Sequence, residues 1–338
     1  MSWKFDLKTV PVKQLSHPRP EKTVPVKQLS HPRSDIFYTF SYPRSGSTWM
    51  RYCFEFITKR LSLPAQYPRW QTGARDPQFM YFTHEANNQL YRLHERFPIS
   101  HSSFIKYMIL IRNPIEALTS QILNYFSLPM WNDIEYVRQH WFPSVVHLPP
   151  SIEKLIPRLS VASIQDRLIM FGYFLNNSAR FRHTFERIEA SQLLRILALH
   201  EHLSSGMVIR YEEFMLDPGA VLLKLIDYLD HNFKFGSSGL PPREEMIKNL
   251  DELIDNYSFH RALCLNAYKS EPAGDEGVRI LHLAASSTDR TSDLRYYSRQ
   301  LGEENIKLIN NFLGTAAETT PFGKLLYNKY LSYYEESS

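Results

Sequence analysis

A short hydrophobic run leads directly into a tight glycine-containing turn, and an apolar, helix-like segment follows the turn. The run covers residues 36–40, the turn reads Tyr-Pro-Arg-Ser-Gly-Ser-Thr-Trp over residues 42–49, and the helix-like pattern begins at Trp49. A strand, turn and helix in this order point backbone N–H groups and the positive end of a helix dipole at an anion. The turn is not a P-loop of the Walker type, because no lysine precedes its hydroxyl pair. The sequence therefore predicts an anion-binding turn whose cation is Arg44.

Hydrophobic runs alternate with helix-like periodicity along the rest of the chain. Strands are predicted at residues 36–40, 79–83, 107–111 and 207–209, and helices at 49–63, 115–125, 164–180, 186–200 and 221–229. This alternation predicts an α/β fold: a P-loop-like, three-layer arrangement with a central, mainly parallel sheet flanked by helices. Ligands of such folds bind at the C-terminal ends of the strands. Segments 232–242 and 270–293 are rich in Gly, Ser, Pro and charge, and we expect them to be loops, the second a candidate lid.

The first 34 residues differ in character from the rest of the chain. Residues 8–19 and 22–33 are the same twelve residues, and five prolines in this segment disfavour a helix. We expect residues 1–34 to form a basic leader that is extended or disordered, with docking to an acidic partner as the alternative. Residues 35–338 are expected to form a single domain.

Charge and cysteine content exclude several classes of protein. The net charge is +4, and the leader holds seven Lys or Arg and two Asp or Glu, so the body is close to neutral, at about −1. This argues against nucleic-acid binding by the folded domain. No run approaches the roughly 18–20 apolar residues of a membrane span, and no signal peptide opens the chain. Two cysteines, Cys53 and Cys264, exclude a disulfide framework and fit a cytoplasmic protein.

A second hydrophobic run ends in Arg112-Asn113-Pro114, and a helix-like segment follows with Glu116 in its first turn and Ser120 one turn further on. Together the two segments resemble the 5′-phosphosulfate loop and the 3′-phosphate segment of sulfotransferases, the enzymes that use 3′-phosphoadenosine-5′-phosphosulfate (PAPS). The resemblance implies that Arg112 and Ser120 hold the 3′-phosphate. An arginine fork suits a phosphate because it can donate two parallel hydrogen bonds. The alternative is structural: Arg112 pairs with Glu116, and Ser120 only packs.

The resemblance also implies the remaining contacts of the nucleotide. A strand followed by Tyr211 and two glutamates places this tyrosine against the nucleotide, and Phe259 would stack on the adenine together with Trp49. Core packing is the alternative for Tyr211 and Phe259. Arg290 stands where family members have an Arg-Lys-Gly loop, a triplet that this chain lacks. The predicted cofactor-binding residues are Arg44, Ser45, Gly46, Ser47, Thr48, Trp49, Arg112, Ser120, Tyr211, Phe259 and Arg290.

The family's catalytic base lies between its two phosphate segments, in a Lys-Thr-His element. Here this element reads Phe82-Thr83-His84. An imidazole with a pKa near neutral is a competent base for a hydroxyl, so the resemblance implies His84 as the general base. Arg44 is the implied catalytic cation, which stabilises charge on the bridging oxygen. Phe82 replaces the lysine of the family and removes one cation, and Glu85 is the alternative base.

The sequence thus predicts a PAPS-dependent sulfotransferase that acts on a hydroxyl or amine. No His/Cys cluster has the spacing of a metal site, so no metal is expected. The acceptor is expected to be a small diffusible molecule, a specialised metabolite being one candidate, with neither nucleic acid nor membrane as a partner. Aromatic residues of segment 125–150 either line the acceptor pocket or form core. The polar members of this segment favour a polar acceptor: Asp133, Glu135, Arg138, Gln139 and His140.

Two other functions stay open from the sequence. A P-loop-like nucleotide kinase is one, and the missing lysine of the turn argues against it. The other is a nucleotide-binding protein of the sulfotransferase fold that is impaired in catalysis, as Phe82 and the missing Arg-Lys-Gly triplet would suggest.

Overall fold

The strands of the described residues form one sheet in which every neighbouring pair is parallel. They are β1 (Phe37–Ser41), β2 (Arg60–Leu63), β3 (Arg75–Thr83), β4 (Lys106–Ile111) and β5 (Met207–Arg210), and their order across the sheet is β2-β3-β1-β4-β5. The computed structural model describes residues 37–63, 75–83, 106–144, 147–196, 206–233, 239–261, 264, 294–319 and 323–328. The predicted α/β fold with a central parallel sheet is confirmed.

Helices connect and cover the strands. They are α1 (Ser47–Thr58), α2 (Pro114–Tyr125), α3 (Ile134–Trp141), α4 (Pro150–Leu155), α5 (Ile164–Asn177), α6 (Ala179–Thr184), α7 (Tyr211–Leu216), α8 (Pro218–Asn232), α9 (Arg243–Asp255), α10 (Tyr296–Leu301), α11 (Glu303–Thr319) and α12 (Gly323–Leu326). Short 3-10 turns cover Pro129–Asn132 and Ile156–Val161, and a π-helical segment covers Phe185–Ala190. No helix among these ranges is long and apolar enough to cross a membrane.

The sheet separates two hydrophobic cores, because successive side chains of a strand point to opposite faces. In β4, Tyr107, Ile109 and Ile111 join one core, which is closed by α2, α5 and α11. Met108 and Leu110 join the other core, which is closed by α1, α8 and α9. Because both faces are covered, β1 and β4 read as nearly continuous hydrophobic runs, which is typical of central parallel strands.

The predicted helix over residues 49–63 is wrong in its last five residues. Helix α1 ends at Thr58, because Lys59 adopts a left-handed conformation with φ of 53° and the next residues extend into β2. Strand β2 pairs with β3, which itself begins at Arg75, earlier than the predicted residue 79. Four residues at a helix end give too little periodicity to distinguish an edge strand from a continuing helix.

The predicted helices over 164–180 and 186–200 are divided differently in the structure. Helix α5 ends at Asn177, and Ser178 caps the next helix by accepting a hydrogen bond from the N–H of Phe181 at 3.1 Å. Helix α6 then continues through the π-helical segment into helical residues 191–196. Ser178 ends the helical run because its hydroxyl, instead of a helical carbonyl, accepts the hydrogen bond from a first-turn N–H group of the next helix. The leader 1–34 and the predicted loop 270–293 lie outside the described residues.

A buried histidine packs against the outer side of α1. His260 is 6% exposed, its Nδ1 lies 2.8 Å from the hydroxyl oxygen of Tyr52, and its ring meets that of Phe56 at 4.4 Å in an edge-on contact. Burial lowers the pKa of His260; nearby Glu252 opposes this shift, and Lys59 adds to it. The folded protein therefore holds a proton on this ring less tightly than the unfolded chain does.

We predict that His260 makes the protein less stable at mildly acidic pH. Its contribution is complete above the unfolded pKa of about 6.5 and is lost as pH falls toward the lower folded pKa, since only the unfolded chain then takes up the proton. Urea unfolding at pH 7.5, 6.5 and 5.5 should show a smaller pH dependence in His260→Gln than in the unmodified protein. The exposed His147 supplies the control, and His147→Gln should keep the original slope. Equal slopes in all three proteins would contradict the prediction.

Candidate functional site

The turn after β1 is held open by two residues in the left-handed region of backbone space. Arg44 has φ of 68° and Gly46 has φ of 83°, and the N–H of Ser45 bonds to the carbonyl of Tyr42 at 3.2 Å. A non-glycine residue with positive φ is uncommon and is maintained only where the surrounding structure requires it. The turn carries the chain from the buried end of β1 into α1.

The turn delivers a free helix N-terminus. Gly46 is the N-cap of α1, no side chain caps this helix, and no acidic residue occupies its first turn. The first N–H groups of a helix have no intrahelical acceptor, and the helix dipole makes this end partly positive. The N–H groups of Ser47 and Thr48 stand at this uncapped start, a position that suits an anion.

Tyr211, at the start of α7, packs directly on this turn. A Cβ atom built on Gly46 would lie 2.3 Å from the Tyr211 ring, so only glycine allows this approach. The guanidinium carbon of Arg112 lies 4.9 Å from the centroid of the same ring, which is a cation–π contact. Tyr211 therefore joins the two predicted phosphate segments from the side of β5.

The second predicted segment begins where β4 ends. Asn113 is the N-cap of α2, and its side-chain oxygen accepts hydrogen bonds from the N–H groups of Ile115 and Glu116 at 3.0 and 3.3 Å. Pro114 occupies the first helical position, where its missing N–H costs nothing. The N–H of Asn113 donates to Oε1 of Glu212 at 2.8 Å, which ties this helix start to α7.

The two predicted phosphate segments contact each other. Nη1 of Arg112 donates to the carbonyl of Arg44 at 3.0 Å, and Nε of Arg44 donates to Oγ of Ser120 at 3.2 Å. Parallel strands β1 and β4 are neighbours, with Ser41 opposite Leu110, so the turns that follow them meet at one edge of the sheet. The structure thus brings together Arg44, Arg112 and Ser120, residues that are up to 76 positions apart.

Arg112 also pairs with Glu116, which is the contact that the alternative to phosphate binding predicts. Its Nη2 lies 3.6 Å from Oε2 of Glu116, whose side chain is fully buried. The same carboxylate accepts hydrogen bonds from the N–H of Tyr297 at 3.2 Å and from the N–H and hydroxyl of Ser298, both at 2.7 Å. Burial raises the pKa of Glu116, and Arg112 and the donors of Ser298 and Tyr297 oppose that rise.

Two buried polar atoms at this junction have no hydrogen-bonding partner among the described residues. They are Oγ of Ser45 in the turn and Nε of Arg112 at the end of β4. Buried polar groups are nearly always hydrogen-bonded, so a cluster of unpaired donors needs an explanation. A bound anion that accepts hydrogen bonds from these groups supplies one. The residues present therefore fit a phosphate-bearing ligand.

The aromatic residues predicted for the adenine lie apart. Trp49 is 8% exposed; it stacks on Tyr52 at 5.3 Å, and its Nε1 donates to the hydroxyl of Tyr257 at 3.1 Å. Phe259 is 62% exposed, and its ring meets that of His260 at 5.5 Å. Within the Tyr-Ser-Phe element, Tyr257 is thus the ring in contact with Trp49. The adenine sandwich of Trp49 and Phe259 stays a prediction.

The predicted base and the predicted C-terminal arginine are not among the described residues. His84, Glu85 and Arg290 all lie outside them, and Phe82 is described only as part of β3. The last residue before His84 is informative: Thr83 ends β3 and lies opposite Phe40 of β1. Among the described side chains, no group of three or more His, Cys, Asp or Glu is arranged to hold a metal ion.

Sequence reasoning missed a buried carboxyl group beside the turn. The hydroxyl of Tyr42 donates to Oε2 of Glu189, which lies in the π-helical segment 147 positions away. Burial raises the pKa of Glu189, and the hydroxyls of Tyr42 and Tyr125 oppose this. No local pattern in the sequence marks this pair. The roles of Glu116 and Glu212 could have been predicted, because both flank residues that the sequence analysis singles out.

Comparison with known proteins identifies the family of the chain. The sequence profile of the family described as "Sulfotransferase domain" matches residues 33–272, which is more than half of the chain. Among solved structures, the chain is similar to mouse sulfotransferase SULT7A1 complexed with PAP, at 14% identity and a TM-score of 0.40, with 88% of this chain and 90% of that chain covered. No curated protein sequence matches the chain. On the strength of the family match, the chain belongs to the sulfotransferase domain family and is a sulfotransferase.

Proposed function

We propose that this sulfotransferase transfers a sulfuryl group from PAPS to a hydroxyl or amine of a small acceptor. One observation carries the assignment of the donor site: Arg112 and Ser120 both contact Arg44, and unpartnered donors of Ser45 and Arg112 are buried at the same place. Two arginines and a helix N-terminus at one sheet edge suit a ligand that carries two separate anionic groups.

The two halves of the site are assigned to the two ends of the nucleotide. Arg44, Ser45 and the first N–H groups of α1 hold the 5′-phosphosulfate, and Arg112 with Ser120 holds the 3′-phosphate. When bound, PAPS supplies the sulfuryl group and a phosphate leaving group. Arg44 and the amides of Gly46 to Thr48 stabilise the negative charge that develops on the oxygen between phosphorus and sulfur. The ring of Tyr211 packs closely against Gly46 and so fixes the position of the turn.

His84 is proposed as the general base that takes the proton of the acceptor. It directly follows Thr83, whose strand lies beside β1 and ends at the same edge of the sheet as the anion-binding turn. A base that follows β3 is next to the turn after β1, because β3 and β1 are neighbouring strands. This turn is proposed to orient the sulfuryl group. Phe82 stands in the sequence where family members have a lysine and brings no charge, so Arg44 is proposed to stabilise more of the developing negative charge than in those members.

The remaining assignments are proposed on the basis of the sequence. Residues 35–338 are proposed to be one domain, Arg290 and Phe259 to complete the nucleotide site, and the cytoplasm to be the place of action. No metal is proposed to take part. The acceptor is proposed to be a small molecule, not a nucleic acid or a membrane component.

The first prediction concerns the 3′-phosphate. Calorimetric titration should show that adenosine 3′,5′-bisphosphate (PAP) binds the unmodified protein far more tightly than AMP does. Arg112→Ala should weaken PAP binding by tenfold to a hundredfold, roughly the 1.5–3 kcal/mol of a hydrogen bond to a charged group, and should leave AMP binding nearly unchanged. Ser120→Ala should weaken PAP binding less than Arg112→Ala does. Arg138→Ala, which removes a surface arginine paired with Glu135, is the control and should bind PAP normally. Equal affinity for PAP and AMP would point to a nucleotide kinase instead.

The second prediction concerns the close approach of Tyr211 to the turn. Gly46→Ala adds a Cβ where the ring of Tyr211 stands and forces alanine into a left-handed conformation. We expect a loss of about 2–4 kcal/mol of stability or a displaced turn, and a loss of PAP binding in either case. Gly314→Ala is the matched control: Gly314 lies in α11 with no described atom within 4 Å of the added Cβ, so this variant should be as stable as the original or more so. PAP affinity and urea midpoints measure both effects.

The third prediction separates the two candidate bases. His84→Gln should lower kcat for sulfuryl transfer by at least about a hundredfold and leave the Kd for PAP unchanged, because a base acts on the acceptor and not on the nucleotide. Glu85→Gln should reduce kcat only slightly. The opposite ranking would assign the base to Glu85. Turnover should persist in EDTA, and a protein that binds PAP without any turnover would be the catalytically impaired alternative.

A further inference from the structure

A buried side-chain contact attaches the start of the anion-binding turn to the core. Tyr42 joins the same core as Tyr38 and Phe40, because alternate residues of an extended segment point to one face of the sheet. Tyr42 is 1% exposed, and its hydroxyl donates a hydrogen bond to Oε2 of Glu189. The carbonyl of Tyr42 accepts the hydrogen bond from the N–H of Ser45 at 3.2 Å. A fixed Tyr42 therefore fixes the start of the turn.

The same carboxyl group is also attached to α2. The hydroxyl of Tyr125, the last residue of this helix, forms a second hydrogen bond to Glu189, and Gln121 hydrogen-bonds to that hydroxyl. Gln121 directly follows Ser120, and Arg112 stands just before the helix. Glu189 thus links the turn that is proposed to hold the 5′-phosphosulfate with the helix that carries the residues proposed for the 3′-phosphate.

The two hydroxyl groups stay protonated and act as donors. Burial raises the pKa of Tyr42, and the charge of Glu189 adds to the rise. The same two causes, in the same order, raise the pKa of Tyr125. A hydrogen bond from a phenol to a carboxyl group in the core is shielded from competing water, so its loss is costly.

The bridge through Glu189 differs from the direct contacts between the two halves of the site. Arg112 donates to the carbonyl of Arg44, and Arg44 donates to Ser120, but both arginines are themselves proposed to bind anionic groups. Those contacts change when a ligand draws the guanidinium groups to itself. Tyr42 and Glu189 are 1% and 2% exposed and bond to each other within the core, so their contact persists in the bound state.

The segment that carries Glu189 is anchored among aromatic rings. Phe185–Ala190 is π-helical, a rare conformation that is frequent at functional positions. The ring of Phe185 lies 5.9 Å from that of Phe171 in α5 and 5.7 Å from that of Phe312 in α11. These contacts give the carboxyl group a fixed base from which it holds the turn.

The spacing of the two halves matters because the proposed donor carries an anionic group at each end. A ligand that binds at two points gains from the second point only where the two half-sites stand at its own spacing. A nucleotide with a single phosphate uses one half and is insensitive to that spacing. Affinity for a doubly charged nucleotide, compared with its singly charged parts, therefore reports the spacing.

We propose that Glu189 is a positioning residue of this sulfotransferase. Through Tyr42 and Tyr125 it holds the two anion-binding halves at the spacing of a nucleotide that carries both a 5′- and a 3′-phosphate. The inference rests on the proposed function, since it concerns the donor site of that reaction. Glu189 acts through the two tyrosines and touches no reacting atom.

Three adenine nucleotides separate the spacing from the strength of each half. They are PAP, which carries both phosphates, AMP, which carries the 5′-phosphate, and adenosine 3′-monophosphate. Tyr42→Phe deletes one oxygen, and Glu189→Leu removes the acceptor at similar volume. In calorimetric titration each variant should weaken PAP by about tenfold or more and change the other two affinities less than about threefold. Tyr42→Phe should add no further loss to Glu189→Leu, because both changes break the same bond.

A conservative variant and a packing variant distinguish positioning from stability. Glu189→Gln keeps an oxygen that accepts from Tyr42, so PAP affinity should stay within about threefold, although the buried amide should lower the midpoint of urea unfolding. Phe312→Leu is the matched control, because it loosens the packing on Phe185 of the same segment and leaves the hydrogen bonds in place. It should lower the urea midpoint and leave all three affinities unchanged.

Unchanged PAP affinity in Tyr42→Phe overturns the inference, and so does an equal loss for all three nucleotides or an equal loss of PAP binding in Phe312→Leu. If Glu189→Leu does not fold, Tyr42→Phe and Tyr125→Phe decide between these outcomes. An unmodified protein that binds PAP no better than AMP contradicts the proposed function. A preference for PAP that survives Tyr42→Phe and Glu189→Leu contradicts this inference alone.

Discussion

The guanidinium group of Arg112 joins three parts of the site that are distant in sequence. It donates to the carbonyl of Arg44 in the anion-binding turn, pairs with Glu116 in α2, and faces the ring of Tyr211 in α7. An arginine can make these contacts together because its donors are fixed in one plane and its flat face is free for an aromatic ring. Its Nε has no hydrogen-bonding partner in the part of the chain that the structure describes, which leaves a donor for a ligand. The turn after β1 also reaches the helix after β4 through the hydrogen bond from Nε of Arg44 to Oγ of Ser120.

The two segments that meet at this sheet edge could be located from the sequence because local patterns encode both of them. A hydrophobic run with a glycine turn specifies the strand, the left-handed step and the uncapped helix start at Gly46. A run ending in Arg-Asn-Pro specifies a second strand and a capped helix start at Asn113. Parallel strands place their C-terminal ends at one edge, so the meeting of Arg44 with Arg112 follows from topology once β1 and β4 are neighbours. The α/β fold was predictable for the same reason.

Features that depend on tertiary contacts were not predictable in this way. Strand β2 exists because its backbone pairs with β3, and the four residues concerned carry no pattern of their own. The contact of Tyr42 with Glu189 joins positions 147 residues apart, and a glutamate within a helical stretch ordinarily reads as a solvated position. Tyr257, and not Phe259, lies against Trp49 because the path of residues 257–261 along α1 decides which ring turns inward. Whether a charged group or an aromatic ring is buried depends on how the helices and the sheet pack together.

The environment of Glu116 shows how the site can hold an anion without losing its framework. This carboxylate is fully buried, and burial raises its pKa, so it needs compensating partners. Arg112 is only one of them, at 3.6 Å, whereas Ser298 and Tyr297 give three closer hydrogen bonds. An anion that draws Arg112 toward itself therefore leaves Glu116 with most of its stabilisation. The start of α10 supplies those three bonds through its backbone and one hydroxyl, which makes this C-terminal helix a structural support of the proposed nucleotide site.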